Sequence, residues 1–598
     1  MLVTAPSNAQ APDPVSISYE PVWQGLGGEL TTVPIRLSLE NTGKPETIGI
    51  RWMDGDTETA TVIDLPSGAK KERVLYITKT NGYNPLQLLI RRGILETPLS
   101  VEPTSTGNFE ATKIGIISDS LGDAALVKPD KEKQFENKRW SNGFAAGVAK
   151  PGMAPTRTSG YDDLGLLILG EGAERLTDAE VAAIQLSVLR GLHLVFVGGP
   201  IRPVLSDPRW QGFLPVSPGG SSKDVAPPSA YGVHSNVAPP TGPMLDLKPK
   251  PGAATIMAGQ VAVQSTLPVG AGNVTWLAYD LFSTPWRTWN GRFSLIYSLA
   301  WEPCAEGWQP FLQTLNQPAE EYYGSPAMSV STASGGTAKG LFGIKVPDAG
   351  RISLLLIGYL VLVVPVNFVL LRKLRKGELA WVTAPVIALG AAGVLFGFAG
   401  QLYSSAASRQ TTGFLVGSDA GDGALFVGSQ QIFFPGNGRY DLKLENVQKV
   451  GTSSYRDYNM FGQAQTQNHF VDMGSITAPS FTVDNLSFRE FHFEQATTLP
   501  KGWLTVSESG GETQVQLRNP MATDLHDVTV EIGGLKQRVP KIGPGESVTV
   551  RLKVPAGGRR VGLASAQVDP SMYGGRFGEE VGKDTVRLLY SFTAGDSR

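Results

Sequence analysis

Residues 352–371 read ISLLLIGYLVLVVPVNFVLL, and residues 379–403 read LAWVTAPVIALGAAGVLFGFAGQLY. Neither stretch contains a charged residue. Because a helix rises about 1.5 Å per residue, a stretch of roughly twenty residues spans about 30 Å, which is the thickness of the hydrocarbon core of a bilayer. The two stretches therefore predict two membrane-spanning helices in the middle of a chain of 598 residues.

The loop between the two stretches carries a cluster of positive charge. Its four cations are Arg372, Lys373, Arg375 and Lys376. Short loops rich in lysine and arginine stay in the cytoplasm. We therefore expect a transmembrane hairpin at residues 351–404, with both large flanking regions outside the cytoplasm. The lipid bilayer is the first partner that the sequence predicts.

The second stretch has a face of small residues, formed by Gly390, Gly393 and Gly397. Small residues let membrane helices approach each other closely. This face predicts packing either against the first helix or against a helix of another membrane or envelope protein. The sequence leaves both partners open.

The composition narrows the class of protein. A net charge of −2 gives no reason to bind nucleic acid. The single cysteine, Cys304, excludes an internal disulfide and a cysteine-based zinc site, and we expect neither a metal site nor a cofactor. A large extracytoplasmic chain without disulfides fits the bacterial envelope, so the bacterial plasma membrane is the expected location. Abundant glycine (70) and proline (42) favour short strands joined by turns.

The flanks of the hairpin divide into predicted all-β domains. Short alternating runs such as Val33–Leu39 and Ile48–Trp52 predict an immunoglobulin-like β-sandwich over residues 14–105. After the hairpin we expect a β domain over residues 405–496 and a second immunoglobulin-like domain over residues 497–598. Residues 1–13 contain Ala9-Gln10-Ala11, which either is a remnant of a signal peptide or arises by chance in an alanine-rich stretch.

Residues 110–312 have a different pattern. Leu164–Leu169 is an apolar run, Thr177 with Glu180 is a helix-capping pair, and His193–Val197 is a second apolar run. Strand, helix and strand with short connections predict parallel strands and an α/β domain. Residues 313–350 are expected to be a linker to the membrane. The predicted fold class is thus multidomain, α/β plus all-β.

This α/β region resembles a known family. The segments that carry the resemblance are LLILGEGAERLTDAEVAAIQLSVLRGLHLVFVGGP at residues 166–200 and GAGNVTWLAYD at residues 270–280. They are similar to the flavodoxin-like, class I glutamine amidotransferase-like domain of an uncharacterised family of bacterial membrane proteins. The hairpin is similar to the membrane segment of the same family, so the resemblance covers residues 110–403.

The resemblance also implies that this domain is not catalytic. Active amidotransferases of this fold need a cysteine on a sharp turn between a strand and a helix. Here that turn carries Gly199, Pro200 and Ile201, and Cys304 lies outside the strand pattern. We therefore expect no catalytic residues and no glutamine hydrolysis.

A ligand site is predicted where the parallel strands end, because their carboxyl ends meet at one edge of a sheet. The candidate residues there are Ser118, Asp119, Gly170, Gly199 and Asp280. The alternative is that these residues only form caps and tight turns.

Three hypotheses of function follow. The favoured one is a non-catalytic membrane-anchored envelope protein that presents extracytoplasmic binding domains. The first alternative is an accessory subunit of an ABC-type or other membrane complex. The second is a hydrolase that uses Asp119 and Asp280.

Overall fold

The computed structural model describes most of the chain. The described residues are 13–26, 30–54, 57–78, 86–101, 111–120, 122–123, 144–199, 202–229, 231, 238–300, 308–316, 349–403, 408–434, 437–452, 468–474, 476–483, 487–500, 502–509, 512–554, 561–568 and 585–593. Residues 1–12 of the predicted signal-peptide remnant, Cys304, and residues 317–348 of the predicted linker lie outside them. Strands dominate the described part, so the predicted multidomain, β-rich fold is confirmed.

The first seven strands form a sandwich of two sheets, which we call the first sandwich. The strands are β1 (Val15–Pro21), β2 (Thr32–Asn41), β3 (Glu46–Asp54), β4 (Thr57–Leu65), β5 (Lys70–Thr78), β6 (Leu86–Arg92) and β7 (Leu95–Val101). One sheet has the order β1-β2-β5, and the other includes β4-β3-β6-β7. Alternating side chains from both sheets, such as Ile35, Ile50 and Leu75, are fully buried in a common apolar core.

A seven-stranded mixed sheet follows. Its region contains β8 (Thr112–Ile117), β9 (Phe144–Ala149), β10 (Leu164–Leu169), α1 (Asp178–Arg190), β11 (His193–Val197), β12 (Val216–Ser217), β13 (Ser222–Val225), β14 (Gly242–Leu245), β15 (Lys248–Pro249), β16 (Ala254–Ala258), β17 (Val261–Val269), β18 (Gly272–Leu277), α2 (Arg292–Ala300) and α3 (Gln309–Asn316). The order is β16-β17-β18-β11-β10-β8-β9, with the last five strands mutually parallel. Two small ribbons, β12 with β15 and β13 with β14, lie beside it.

The predicted strand, helix and strand are present in this region. Helix α1 begins after Thr177, whose Oγ1 accepts a hydrogen bond from Glu180 N (3.3 Å), while Thr177 N donates to the Glu180 carboxylate (2.7 Å). It ends at Gly191, whose φ of 133° suits a residue without a side chain. Strands β10 and β11 on either side of the helix pair in parallel, as expected. The amidotransferase-like character of the domain stays a prediction.

Two long apolar helices come next. They are built from α4 (Ala349–Val361), a π-helical turn at Leu362–Val366, α5 (Asn367–Lys373), a short 3₁₀ turn at Gly377–Leu379 and α6 (Ala380–Tyr403). The π turn surrounds Pro365, which has no N–H to continue the helical hydrogen bonding. Both helices are long and apolar enough to cross a membrane. Between them, Thr383 Oγ1 donates a hydrogen bond to Asn367 Oδ1 (2.9 Å).

After the helices the chain is again all strand. A joining segment contains β19 (Ser408–Ser418), β20 (Gly421–Phe434), β21 (Gly438–Asp441), β22 (Leu444–Glu445), β23 (Val447–Thr452), β24 (Asn468–Asp472), β25 (Ile476–Val483) and β26 (Ser487–Thr498). A second sandwich contains β27 (Leu504–Ser509), β28 (Glu512–Arg518), β29 (Leu525–Ile532), β30 (Leu535–Ile542), β31 (Ser547–Leu552), β32 (Val561–Val568) and β33 (Thr585–Thr593). The sheets of the second sandwich are β27-β28-β31 and β30-β29-β32-β33, which repeats the strand order of the first.

The joining segment extends both sandwiches. Strand β24 pairs in parallel with β4 of the first sandwich, and β19 pairs in parallel with β33 of the second. Each extended sheet has eight strands, one ordered β23-β26-β20-β19-β33-β32-β29-β30 and the other β21-β25-β24-β4-β3-β6-β7 with β22 beside β25. The segment predicted as a β domain of its own, residues 405–496, therefore shares its strands with sheets on both sides.

Candidate functional site

The predicted ligand-site residues lie at the carboxyl edge of the parallel strands and meet there in pairs. Gly170 N donates to Ile117 O (2.8 Å), and a Cβ at Gly170 would lie 3.3 Å from Ser118 Oγ. A Cβ at Gly199 would lie 3.2 Å from Asp280 Cβ. The chain thus brings Ser118 beside Gly170 and Gly199 beside Asp280, as expected for neighbouring parallel strands.

Ser118 holds the loop that follows β8. It is fully buried, and its hydroxyl donates to Asp123 Oδ2 (2.7 Å) and accepts from Ser120 N (3.2 Å). Asp123 is itself 7% exposed. The sequence analysis missed Asp123 because no strand or helix pattern in the sequence includes it. Since both of its hydrogen bonds are local, the Ser118 hydroxyl shapes this turn.

Asp119 forms an ion pair with Arg175, and both side chains are partly exposed. Asp119 N donates to Glu171 O (3.1 Å), which ties the loop after β8 to the loop after β10. Gly172 lies against this pair: its φ is +86°, and a Cβ there would lie 2.6 Å from Asp119 Oδ2. Arg175 was not predicted, because no spacing in the sequence connects it to Asp119.

Asp280 has an acidic environment. Its Oδ1 accepts from Phe282 N (3.0 Å), and its burial raises the pKa of the carboxyl, with further contributions from the charges of Asp123 and Glu171. Three carboxyl groups therefore share this edge, while Asp119 is paired with Arg175. Among the described residues no group of three or more His, Cys, Asp or Glu is arranged to hold a metal ion. The hydrolase hypothesis stays a prediction.

An aromatic cluster forms the wall behind Asp280. The ring of Tyr279 stacks on Trp286 with centroids 4.0 Å apart, and its hydroxyl donates to Tyr231 Oη (3.0 Å). Trp289 stacks on Tyr231 in turn. All four rings are buried, and burial is the main reason that the pKa of both tyrosines lies above the ordinary value. These four rings form a buried aromatic cluster that includes Tyr279, the chain neighbour of Asp280.

The residues predicted to set the topology lie together at one end of the two helices. Arg372, Lys373, Arg375 and Lys376 are all exposed, and α5 and α6 are joined there by a short turn. The role of the predicted helix-packing glycines stays a prediction. In the described part of the chain no heavy atom outside the helix itself lies within 4 Å of a Cβ built at Gly390, Gly393 or Gly397. The first helix instead meets the second at Asn367 and Thr383.

Fold and site define a β-rich multidomain chain with two long apolar helices and an acidic edge on a mixed sheet. Comparison with protein-family models and with curated proteins gives no match. Among solved structures, an exo-β-1,4-mannosidase from Opitutaceae bacterium strain TAV5 is similar over 32% of this chain and 35% of its own, with 12% identity and a TM-score of 0.21. The yeast δ-COP-I μ-homology domain complexed with a Dsl1 WxWxV peptide is similar over 31% of this chain and 94% of its own, with 10% identity and a TM-score of 0.17. The chain thus spans about a third of the mannosidase that it matches.

Proposed function

We propose that this chain is a non-catalytic, membrane-anchored protein of the bacterial envelope that presents its β-rich regions for binding outside the cytoplasm. The observation that carries the proposal is the parallel pairing of β4 with β24, since one strand precedes the two apolar helices and the other follows them. Strands of one sheet lie on the same side of a membrane. The helices between them therefore leave and return, as a hairpin does.

The outer surface of the hairpin supports the membrane part of the proposal. Leu354, Phe368, Trp381 and Phe396 are each between 63% and 78% exposed. Contiguous apolar surface of this kind is unfavourable in water and favourable against lipid tails. The basic loop then orients the hairpin with its turn in the cytoplasm.

Cysteine labelling tests the orientation. In a Cys304→Ser background, Lys44→Cys and Lys553→Cys place one thiol at an exposed position before the hairpin and one after it, and Gly377→Cys places one in the loop. In intact cells an impermeant thiol reagent is expected to label the first two and to reach the third only after permeabilisation. Labelling at Gly377→Cys alone would overturn the proposal.

The glycine face of α6 favours a second candidate function, an accessory subunit of an ABC-type or other membrane complex. Its three glycines leave open space along one face of the helix. We expect the double substitution Gly393→Leu with Gly397→Leu to reduce co-purification of a membrane partner. Gly358→Leu is the matched control, because Gly358 also has open space but lies on the first helix. If the parent protein, the double variant and Gly358→Leu co-purify the partner equally, this counts against the function.

A further inference from the structure

Two ionic clusters join the chain before the hairpin to the chain after it. In the first cluster, Asp472 at the end of β24 accepts hydrogen bonds from Arg157 Nη1 (3.1 Å) and Nη2 (2.9 Å), and Arg73 Nη2 lies 3.3 Å from its Oδ1. The Asp472 side chain is only 7% exposed. Thr61 of β4 donates to its carbonyl oxygen (2.7 Å). One aspartate after the hairpin thus contacts three residues that precede it.

The second cluster alternates charges between the two halves. Arg190 at the end of α1 contacts Glu494 of β26 (3.0 Å) and Asp162 (3.1 Å). Lys449 of β23 contacts the other oxygen of Asp162 (2.6 Å). Thr158 Oγ1 adds a hydrogen bond to Glu494 Oε2 (3.3 Å). Each half therefore contributes one acid and one base to a single network.

Asp162 and Lys449 of this network stay ionised at neutral pH. Burial alone would raise the pKa of Asp162, but the charges of Arg190 and Lys449 outweigh it and hold that pKa below its usual value. Burial alone would lower the pKa of Lys449, but the charges of Asp162 and Glu494 hold it above its usual value. A buried ion pair is specific, because removing one partner leaves the other charge uncompensated.

Apolar packing connects the same two halves. Helix α1 packs on β20 and β19, and its buried side chains share one core with residues after the hairpin. Ile184 and Leu186 belong to this core on one side, and Val416, Leu425 and Leu589 belong to it on the other. Strand β24 adds a ladder that runs from the pair Asn468 and Thr57 to the pair Val471 and Ala60. Separating the halves would expose this core and leave β4 with an open edge.

We infer that the segments before and after the hairpin are specific partners of one another and form one body that does not need the covalent link through the membrane. The surface of the first half is formed by β4, α1, Arg73, Arg157 and Asp162, and the surface of the second by β19, β20, β24, Lys449 and Glu494. During assembly, the edge of β4 therefore stays open until residues 468–472 have reached the same side of the membrane. The contact between the two segments does not depend on which side of the membrane they occupy. The inference and the proposed orientation can therefore be disproved independently.

Cleavage in the loop tests it on the full chain. A specific protease site is inserted between Lys376 and Gly377, the protein is purified in detergent by a tag at its amino terminus, and the site is cut to completion. The carboxyl-terminal fragment is expected to remain bound to the tagged fragment. Its release from the unsubstituted protein would overturn the inference.

Charge reversal separates this contact from contacts between the helices. Asp472→Arg with Glu494→Arg is expected to release at least ten times more of the cut fragment than Asp441→Arg, which reverses an exposed acid in β21. Retention of the reversed fragment would mean that the helices alone hold the halves together, and the inference would be wrong. If the double variant does not fold, Glu494→Gln is used in its place in the same release experiment. Glutamine keeps the shape of the glutamate side chain and removes its charge.

A disulfide provides a second readout in uncut protein. In the Cys304→Ser background, Ala60→Cys and Val471→Cys face each other in the ladder between β4 and β24. They are expected to crosslink on mild oxidation and to join the two fragments covalently after cleavage. Val62→Cys with Val471→Cys is the control, because residue 62 lies about 7 Å further along the strand. Equal crosslinking of both pairs, or of neither, would contradict the pairing.

Discussion

The two sandwiches have the same strand order but are extended at opposite edges. In the first, the fourth strand, β4, accepts a neighbour from the joining segment, and in the second the seventh strand, β33, does so. The remaining edge strand of each four-stranded sheet contains a proline, which is Pro98 in β7 of the first sandwich and Pro540 in β30 of the second. A proline without an N–H blocks further strand addition. The same module therefore acquires a different neighbour according to which edge is left able to pair.

The two sandwiches also share a local feature. The side-chain amide of Asn41, at the end of β2, donates to Lys44 O (2.7 Å) and Leu65 O (3.0 Å). That of Asn519, which follows β28, donates to Thr523 O (2.7 Å) and Ile542 O (3.0 Å). Each asparagine is fully buried and ties one turn to the end of the fourth strand. The equivalence of the two modules thus extends from topology to single hydrogen bonds.

The largest expected effect comes from breaking the strands of the joining segment. Leu415→Pro in β19 removes an N–H from a strand paired on both sides, with seven register pairs to β33 and ten to β20. We expect a loss of about 3 kcal/mol or more, enough to prevent folding. Val471→Pro in the shorter β24 should cost less and raise hydrogen exchange mainly in β4 and β25. The expression yield and hydrogen–deuterium exchange measure the difference.

The control for this prediction is Lys536→Pro in the free edge β30. Residue 536 lies four positions before Pro540, so its N–H faces outward in the same way, and the substitution should be tolerated. If Leu415→Pro and Lys536→Pro lower the stability by similar amounts, β30 is not a free edge strand.

The equivalence of the asparagines predicts equal destabilisation of the two modules. Asn41→Ala and Asn519→Ala each leave two carbonyl groups without their donor, and we expect each to lower the free energy of unfolding by about 1–3 kcal/mol. Thr42→Ala, one residue further on and exposed, should change it by less than about 0.5 kcal/mol. Denaturant titration gives all three values. A large effect at one asparagine and none at the other would break the comparison.

The sequence predicts the local parts of this architecture well. Helix α1 was predictable because Thr177 and Glu180 form a capping pair at its start and Gly191 follows its last residue. Strands β10 and β11 were predictable because each is an apolar run. The candidate site was partly predictable for the same reason, since Ser118 and Asp280 follow such strands. Asp123 and Arg175 were missed because they lie outside the apolar runs of the strands, Arg175 in the short 3₁₀ turn Ala173–Arg175, where no periodicity in the sequence indicates a contact.

The pairings between distant strands were not predictable. Thr61 and Asp472 are hydrogen-bonded although 411 positions separate them in the chain. Apolar and polar residues alternate in the same way in a strand paired on both edges and in a strand at a free edge. The sequence therefore does not show which strands β24 and β19 pair with. For this reason residues 405–496 were predicted as a separate domain although their strands extend both sandwiches.

The two ionic clusters predict a different response of the two extended sheets to pH. The pKa of Asp162 is lowered and that of Lys449 is raised, so their contribution to stability is present between these values, falls as the pH drops below about 4, and falls again above the usual lysine range near 10.5. Above that range the sheet carrying the second sandwich should lose about 1 kcal/mol, because the Lys449 side chain is partly exposed. The Asp472 cluster contains only arginines as cations, so β4 and β24 should be unaffected.

Hydrogen exchange or proteolysis at pH 11, followed separately in the two extended sheets, measures this difference. Lys449→Arg is the matched control and should move the loss to higher pH, since arginine keeps its charge. Equal loosening of both extended sheets, or no change with Lys449→Arg, would show that Lys449 does not determine the alkaline limit.

The smallest expected change in stability comes from the two edge prolines, which nevertheless test the central idea most directly. Pro98→Val and Pro540→Val return an N–H to β7 and β30 without removing a buried contact, because both prolines are exposed. We expect the free energy of unfolding to change by no more than about 0.5 kcal/mol. Each variant should, however, self-associate at lower concentration than the parent protein, as measured by analytical ultracentrifugation in detergent. Val539→Thr, beside Pro540 but without effect on any N–H, is the control. If neither proline variant associates more than this control, the prolines do not protect the free edges, and the difference between the two sandwiches must arise from the joining segment alone.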